Sequence, residues 1–440
     1  MPFVRIRLRL VLAAAAAVAA VAPATARAQS LLELYQAAHA YDATYLSARA
    51  LADSAPFRVE QSRALMRPNV ALSAAASRDS VKQPFFDSYD SNTLSASVNA
   101  RQPLFNRANK ATIAQSERSL DSSAADLDAA EQDLMLRVSQ AYFDVLGAQD
   151  TLGTTRANKA AIAEQLASAK RNFEVGTATI TDTREAQARY DLATAQEIAA
   201  DNDLVTKQIA LDQLVGSEHV VPKQLAVPVV LPLPTTSVED FVARAAAEHP
   251  TVRRAQAAYD IALLETEKAR AGAMPTVDAV ATVGGGRSTV AVGFTGPNTL
   301  TSVGVQINFP LFAGFSVQNR IKETLVLEER SRNDLEAARR GVTQATRQAY
   351  YTLLSGAAQV KALEAAEASS QLALEATQVG YRVGIRVNVD VLNAQSQLYQ
   401  TRRDLARARY DVLLNTLRLD QAAGHLTPAD VLAIDRLLTP

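Results

Sequence analysis

Apolar positions along the chain follow two periods, arranged in blocks. From Ser302 to Phe309 the period is two: Val303, Val305, Ile307 and Phe309 share one face, and Ser302, Gly304, Gln306 and Asn308 the other. Beyond Pro310-Leu311-Phe312 the period becomes helical, and no proline interrupts it as far as Gly380. At 1.5 Å per residue this predicts a rod of about 100 Å, which an ordinary globular core does not need. The same design occurs earlier. Leu94, Ala96, Val98 and Ala100 alternate with Ser95, Ser97 and Asn99; Pro103-Leu104-Phe105 punctuates; and a second helical run extends from Asn106 to Asn172. Within that run Leu120, Leu127, Leu134 and Ala141 recur every seventh position, joined by Val138, Val145 and Leu152, which is the spacing of a coiled-coil seam. Two further alternating segments carry Val70, Leu72, Ala74 and Ala76, and Val277, Ala279, Ala281 and Val283.

The halves of the chain are copies. Pro68 matches Pro275 and Pro103-Leu104-Phe105 matches Pro310-Leu311-Phe312, both at a shift of 207. Ala141-Tyr142 matches Ala349-Tyr350, Val175-Gly176 matches Val383-Gly384, Ala186-Gln187 matches Ala394-Gln395 and Gly216 matches Gly424, all at a shift of 208. The register predicts a first repeat over residues 29–217, with strands at about 68–77 and 93–102 and a long helical hairpin over 106–215. A Pro-rich linker over 218–236 follows. The second repeat covers 237–425, with strands at about 275–284 and 301–309 and a hairpin over 313–423, and a C-terminal segment spans 426–440. Finer punctuation is also legible. Leu31 to Met66 reads as helix broken at Pro56, the polar stretch Arg78 to Asn92 as a connection, and Gly284-Gly285-Gly286 as a hairpin loop. Gly176 and Gly384 read as helix stops, and Thr181-Asp182 as the cap of the returning helix.

Composition narrows the class. Arg5, Arg7 and Arg9, the apolar stretch Leu10 to Ala22 and the small residues Ala26 and Ala28 predict a secretory signal over residues 1–28. Its removal takes four of the 45 basic residues and none of the 46 acidic ones, leaving a net charge of −5 that disfavours a nucleic-acid partner. Apolar residues make up 48% of the chain but aromatics only 5%, so small side chains dominate, as suits long helices packed closely side by side. Beyond the signal no apolar run is long enough for a membrane-spanning helix. Cysteine is absent, and His39, His219, His249 and His425 lack metal-ligand spacing, so neither a metal site, a cofactor nor catalytic chemistry is expected.

The isolated strands set the architecture. No other sheet covers their apolar face, which makes lipid contact the economical reading. A membrane sheet cannot keep an open edge, and four strands cannot close when the smallest barrels use about eight, so the chain must associate with copies of itself. The expected fold is mainly α with membrane β: two repeats, each a helical hairpin plus a two-stranded segment. The alternative is a periplasmic coiled-coil adaptor or structural rod without a pore.

The halves resemble the repeats of the TolC family of outer-membrane efflux and type I secretion channels. The resemblance rests on the Pro-Leu-Phe strand exits, the stretch Asn172 to Asp182, the stretch Tyr381 to Leu392, and the ending from Ala406 to Gly424. It implies a homotrimer with a twelve-stranded β-barrel in outer-membrane lipid and an α-helical periplasmic tunnel. It further implies a periplasmic adaptor protein and an inner-membrane transporter docked at the tunnel tip, on Val175, Gly176, Thr177, Val383, Gly384 and Ile385. Asp390 then points into the aperture, while position 393, often acidic in the family, is Asn393 here. Tyr381 and Arg386 are implied to tie the inner helices to the outer pair, with Thr181 and Asp182 as partners.

Overall fold

The computed structural model describes residues 28–83, 86–226, 231, 234, 236–290 and 295–439. The expected signal, apart from Ala28, lies outside the described residues, as do Pro228 and Pro232 of the linker. In chain order come α1 (Leu31–Tyr41), α2 (Ala43–Arg63), a 3₁₀ turn (Ala64–Met66), β1 (Asn69–Gln83), β2 (Phe86–Phe105), α3 (Arg107–Glu174) and α4 (Ile180–Val215). The second half repeats the order as α5 (Val238–Glu248), α6 (Pro250–Ala271), β3 (Thr276–Val290), β4 (Thr295–Asn308), α7 (Ser316–Arg382) and α8 (Asn388–Ala422), followed by α9 (Pro428–Asp435).

Two local expectations are corrected. The break expected at Pro56 lies instead at Asp42, and α2 runs through the proline. Asp42 is extended, its carboxylate accepts the Tyr45 N–H at 2.7 Å, and Arg137 of α3 clasps both carboxylate oxygens at 3.0 and 3.1 Å. A capped and ion-paired aspartate ends one helix and starts the next more decisively than one missing amide donor. The glycine triplet is not a loop either. Gly284, Gly285 and Gly286 lie inside β3, paired with Ser97, Ala96 and Ser95 on one side and Leu300, Thr299 and Asn298 on the other. A Cβ on Gly284 would stand 2.7 Å from the Ser97 Cβ and 2.9 Å from the Ala96 carbonyl, so the glycine serves close strand approach.

The four strands form one antiparallel sheet in the order β1-β2-β3-β4. They are longer than the nine or ten residues expected: 15, 20, 15 and 14. The extra length is the polar stretch read as a connection, where both faces are wet and no alternation marks the ladder. Register fixes the faces. Val70, Leu72, Ala74 and Ala76 stand beside Ala100, Val98, Ala96 and Leu94, and Ala279, Ala281 and Val283 beside Val305, Val303 and Thr301, all on one surface. The opposite surface carries Ser73, Ser97, Asn99 and Thr282, joined by hydrogen bonds of 2.9 to 3.2 Å, with Gly284, Gly286 and Gly304 among them. The outer edges of β1 and β4 pair with nothing in the described chain.

Below the sheet the helices stand in columns. α3 packs against α2 and α4 on one side and against α6 and α8 on the other, and α7 packs on α6 and α8. α2 and α4 thus share one edge column, and α7 forms the other. Burial follows this order. α3 buries Leu134, Met135, Val138, Tyr142, Phe143, Val145, Leu146 and Leu152, whereas Leu120, Leu127 and Ala141 of the expected seam are half-buried. Along its 67 residues α7 buries only Thr324, Leu335, Val342, Thr346, Leu353, Val360 and Leu374, leaving Val326, Tyr351 and Leu372 exposed. The α4 edge exposes Leu192, Ile198, Val205 and Ile209. Apolar side chains at both margins of a helix layer mark faces that lack a partner.

A belt crosses the columns at mid-height. Gln29 bridges to Pro222 and Leu225 to Leu438, so the linker, the start of α1 and the C-terminal segment lie together. Buried Tyr142 donates its hydroxyl to the Lys223 carbonyl at 2.8 Å, and Asp435 accepts the Leu31 N–H at 2.8 Å. Near this belt Asp420 of α8 is pushed up from 3.8 to about 7, mainly by burial, with Asp430 repelling and Arg244 attracting its charge. Between those two values the folded chain keeps a proton that the unfolded chain releases, so stability falls as pH rises through that window. Asp420→Asn is therefore expected to melt with the parent near pH 4 and above it at pH 8, by about 1 to 3 kcal/mol. Thermal melts across that range check this; a gap independent of pH would refute it.

Candidate functional site

The two helical hairpins turn at the end remote from the sheet, and both turns use one geometry. Val175 and Val383 end the helices at φ −89° and −93°, and Gly176 and Gly384 follow at φ +81°. The left-handed glycine lets the next amides fold back on the helix. Thr177 N and Ala178 N donate to the Asn172 carbonyl at 2.8 and 3.2 Å, and Ile385 N and Arg386 N to the Gly380 carbonyl at 2.9 and 3.2 Å. The turns leave Val175, Val383 and Ile385 exposed, Ile385 by 80%.

The helices that return from these turns are capped differently. α4 is capped by Thr179, two residues before the expected Thr181-Asp182. Its hydroxyl accepts the Asp182 N–H at 3.2 Å, while the Asp182 carboxylate takes the Thr179 N–H at 2.9 Å and hydroxyl at 2.7 Å. In the second repeat the capping position is Val387, which offers no side-chain oxygen. Asp390, the counterpart of Asp182, is thereby left without a cap to bind, and Arg386 approaches it at 3.6 Å across one helical turn. Gly380 assists, because a Cβ there would lie 2.9 Å from the Arg386 Cγ. One residue, threonine against valine, thus makes one aspartate structural and leaves its twin available.

The expected partners do not meet within one chain. Tyr381 accepts the Asn172 side-chain amide at 3.3 Å, and Arg386 pairs with Asp390 rather than with Thr181 or Asp182. At this end the two hairpins pack together, but Tyr381 meets Asn172 at the end of α3, and the start of α4 meets α8 through Asn388 and Asn393 instead. Asn393 accepts Arg189 of α4 at 3.0 Å, and Arg189 also stands 3.9 Å from Glu185. Sequence reading missed Asn388, which is buried, receives the Gln165 side-chain amide and reaches toward the Asp182 carbonyl at 3.5 Å. A polar residue at a helix start carries no periodic signal of burial; its counterpart Ile180 gave no hint.

Residues 34–217 and 241–425 each match the family described as outer membrane efflux protein. The chain belongs to that family. Its relatives include the outer membrane protein TolC of Vibrio cholerae, 33% identical over 415 residues and 93% of each chain. Another is the alkaline protease secretion protein AprF of Pseudomonas aeruginosa, 34% identical over 307 residues, covering 68% of this chain and 63% of that one. Solved structures share the fold: the crystal structure of CusC has a TM-score of 0.78 at 18% identity, covering 90% of this chain and 92% of that chain. The open-state outer membrane channel MtrE of Neisseria gonorrhoeae gives 0.73 at 19%, covering 90% and 89%. Like others of the outer membrane efflux protein family, the chain is an outer-membrane channel for efflux or secretion that extends into the periplasm. The alternative of a periplasmic rod without a pore is set aside.

Proposed function

We propose that three copies of the chain close into one exit duct without catalytic chemistry, filled from below by an energised inner-membrane transporter through a periplasmic adaptor. The unpaired margins of the protomer carry the proposal: β1 and β4 lack neighbours in the sheet, and the helix columns below it carry exposed apolar edges on α7 and α4. Joining β4 of one copy to β1 of the next removes every open edge and covers both helical margins at once. Three protomers give twelve strands. In that ring the α7 margin of one copy lies against the α4 column of the next, while Tyr381 and Arg386 tie the second hairpin to the first, whose Thr181 and Asp182 start beside Asn388. Asp390 lines the aperture, as one ring of carboxylates rather than two. The exposed tips around Gly176 and Gly384 receive the adaptor.

Fractionation tests the assembly. The mature chain should need detergent for extraction and run as an oligomer that dissociates only on heating, whereas release by osmotic shock as a monomer would refute it. Docking has its own test. Val175→Glu combined with Ile385→Glu should leave the oligomer in the outer membrane and reduce export at least tenfold, because each tip loses an apolar contact; undiminished export would exclude these turns as the contact. Relatives named for protease secretion and for efflux support either proteins or small molecules as cargo.

A further inference from the structure

The apolar surface of the sheet ends differently at its two rims. Toward the helices it closes with Phe309 and Phe312, both exposed. Toward the hairpin ends, on the same surface, the register places Arg78 opposite Asn92 on β2, and Arg287 opposite Leu94. Between these rims the surface side chains from Val70 to Ala76, Leu94 to Ala100 and Val277 to Val283 carry no charge. Val277 and Arg287 are ten residues apart on β3; at about 3.3 Å per residue and a tilt near 40° that is about 25 Å of height, the thickness of the apolar band of an outer-membrane barrel. The helices extend into the periplasm, so the basic rim is the one facing the cell exterior.

Arg78 and Arg287 flank β2, two strand spacings across and two residues along, about 12 Å apart. Together with Ala76, Ser77, Asn92, Thr93 and Leu94 they line a recess of about 420 Å³. Asp90 binds one terminal nitrogen of Arg78 at 2.9 Å, which leaves other N–H donors of that guanidinium unused. Two guanidiniums and an amide directly above an apolar wall match an anion fixed to acyl chains: the guanidiniums bind phosphate oxygens as paired donors while the wall covers the chains. The outer leaflet of such a membrane is built from a phosphorylated glycolipid. We propose that Arg78, Asn92 and Arg287 form a binding site for a phosphate group of that glycolipid, one site per protomer. Bound there, the lipid fills the recess and fixes the height at which the sheet sits in the membrane.

The purified full-length oligomer, placed in phospholipid nanodiscs containing bisphosphorylated lipid A, tests the site by native mass spectrometry of the lipid it retains. The parent should retain this lipid at least tenfold better than its dephosphorylated form, and inorganic phosphate at equal concentration should not displace it. Arg78→Gln with Arg287→Gln should abolish the preference, Arg78→Lys with Arg287→Lys should keep most of it, and Asp90→Asn, which frees Arg78, should strengthen it. Retention unchanged in the glutamine variant, displacement by inorganic phosphate, or equal retention of phosphatidylglycerol would each overturn the proposal. Should the glutamine variant fail to assemble, Asp90→Asn decides alone, since no gain in retention would overturn the proposal. The site rests on the sheet facing lipid, and the heat-dissociation assay reads that separately, so failure of either is distinguishable.

Discussion

A channel carrying Arg386→Ser and Tyr381→Phe passes several times the current of its parent in a planar bilayer; that is the expected result. In the isolated chain Arg386 and Asp390 are a half-exposed pair at 3.6 Å, and such pairs contribute about 0 to 1 kcal/mol. Three copies acting on one aperture would give up to about 3 kcal/mol together, a shift of up to about a hundredfold in the ratio of closed to open states. Tyr381→Phe removes only the hydroxyl that accepts Asn172, leaving the ring packed with Leu374, Val391 and Leu398. Val387→Thr reaches the same result by another route. It supplies α8 with the hydroxyl cap that Thr179 gives α4, and Asp390 turns back onto its own helix as Asp182 does. Conductance unchanged in both variants would show that these residues do not hold the aperture.

The second large effect concerns the sheet. Val303 is 84% exposed and lies midway along the uncharged surface, so Val303→Arg places a cation near the bilayer midplane at a cost of about 2 to 4 kcal/mol per copy. With three copies the cost rivals the whole stability of an ordinary domain, about 5 to 15 kcal/mol. The variant should accumulate as unassembled chain in the periplasm, whereas Ser302→Arg, one residue away on the opposite face, should assemble. The measurement is the fraction running as heat-dissociable oligomer in outer-membrane extracts. Equal assembly of the two would mean that the faces are not as assigned.

The contrast between those neighbours also explains what was legible in the sequence. Alternation at Val303, Val305 and Ile307 exists because one face meets lipid and the other water, so it marks the strands only where they cross the membrane. Beyond it, at Arg78 to Asn92, both faces are wet and the ladder leaves no pattern, which is why the strands proved longer than expected. The repeat register found both tip turns, because a left-handed glycine after a helix is a local requirement. Caps were harder. Whether a carboxylate binds its own helix depends on one hydroxyl three residues earlier, and Thr179 and Val387 look equally ordinary in a stretch of mixed polarity. The pairing of Tyr381 and Arg386 was beyond spacing alone, since where the two hairpins pack together Asn172, Asn388 and Arg189 compete for the same contacts.

The surface of Ser73, Ser97, Asn99, Thr282 and three glycines has a consequence for what leaves the cell. Once the ring closes, that surface is the bore, and its side chains mostly stop at a hydrogen or a short polar group. A passing solute meets mainly hydroxyls, amides and bare backbone, with Leu300 exposed among them and the Arg101–Asp278 pair toward the helical end. Discrimination among cargoes therefore falls to the machinery upstream, and the outer segment acts as a smooth nozzle, limited by diameter rather than by chemical taste.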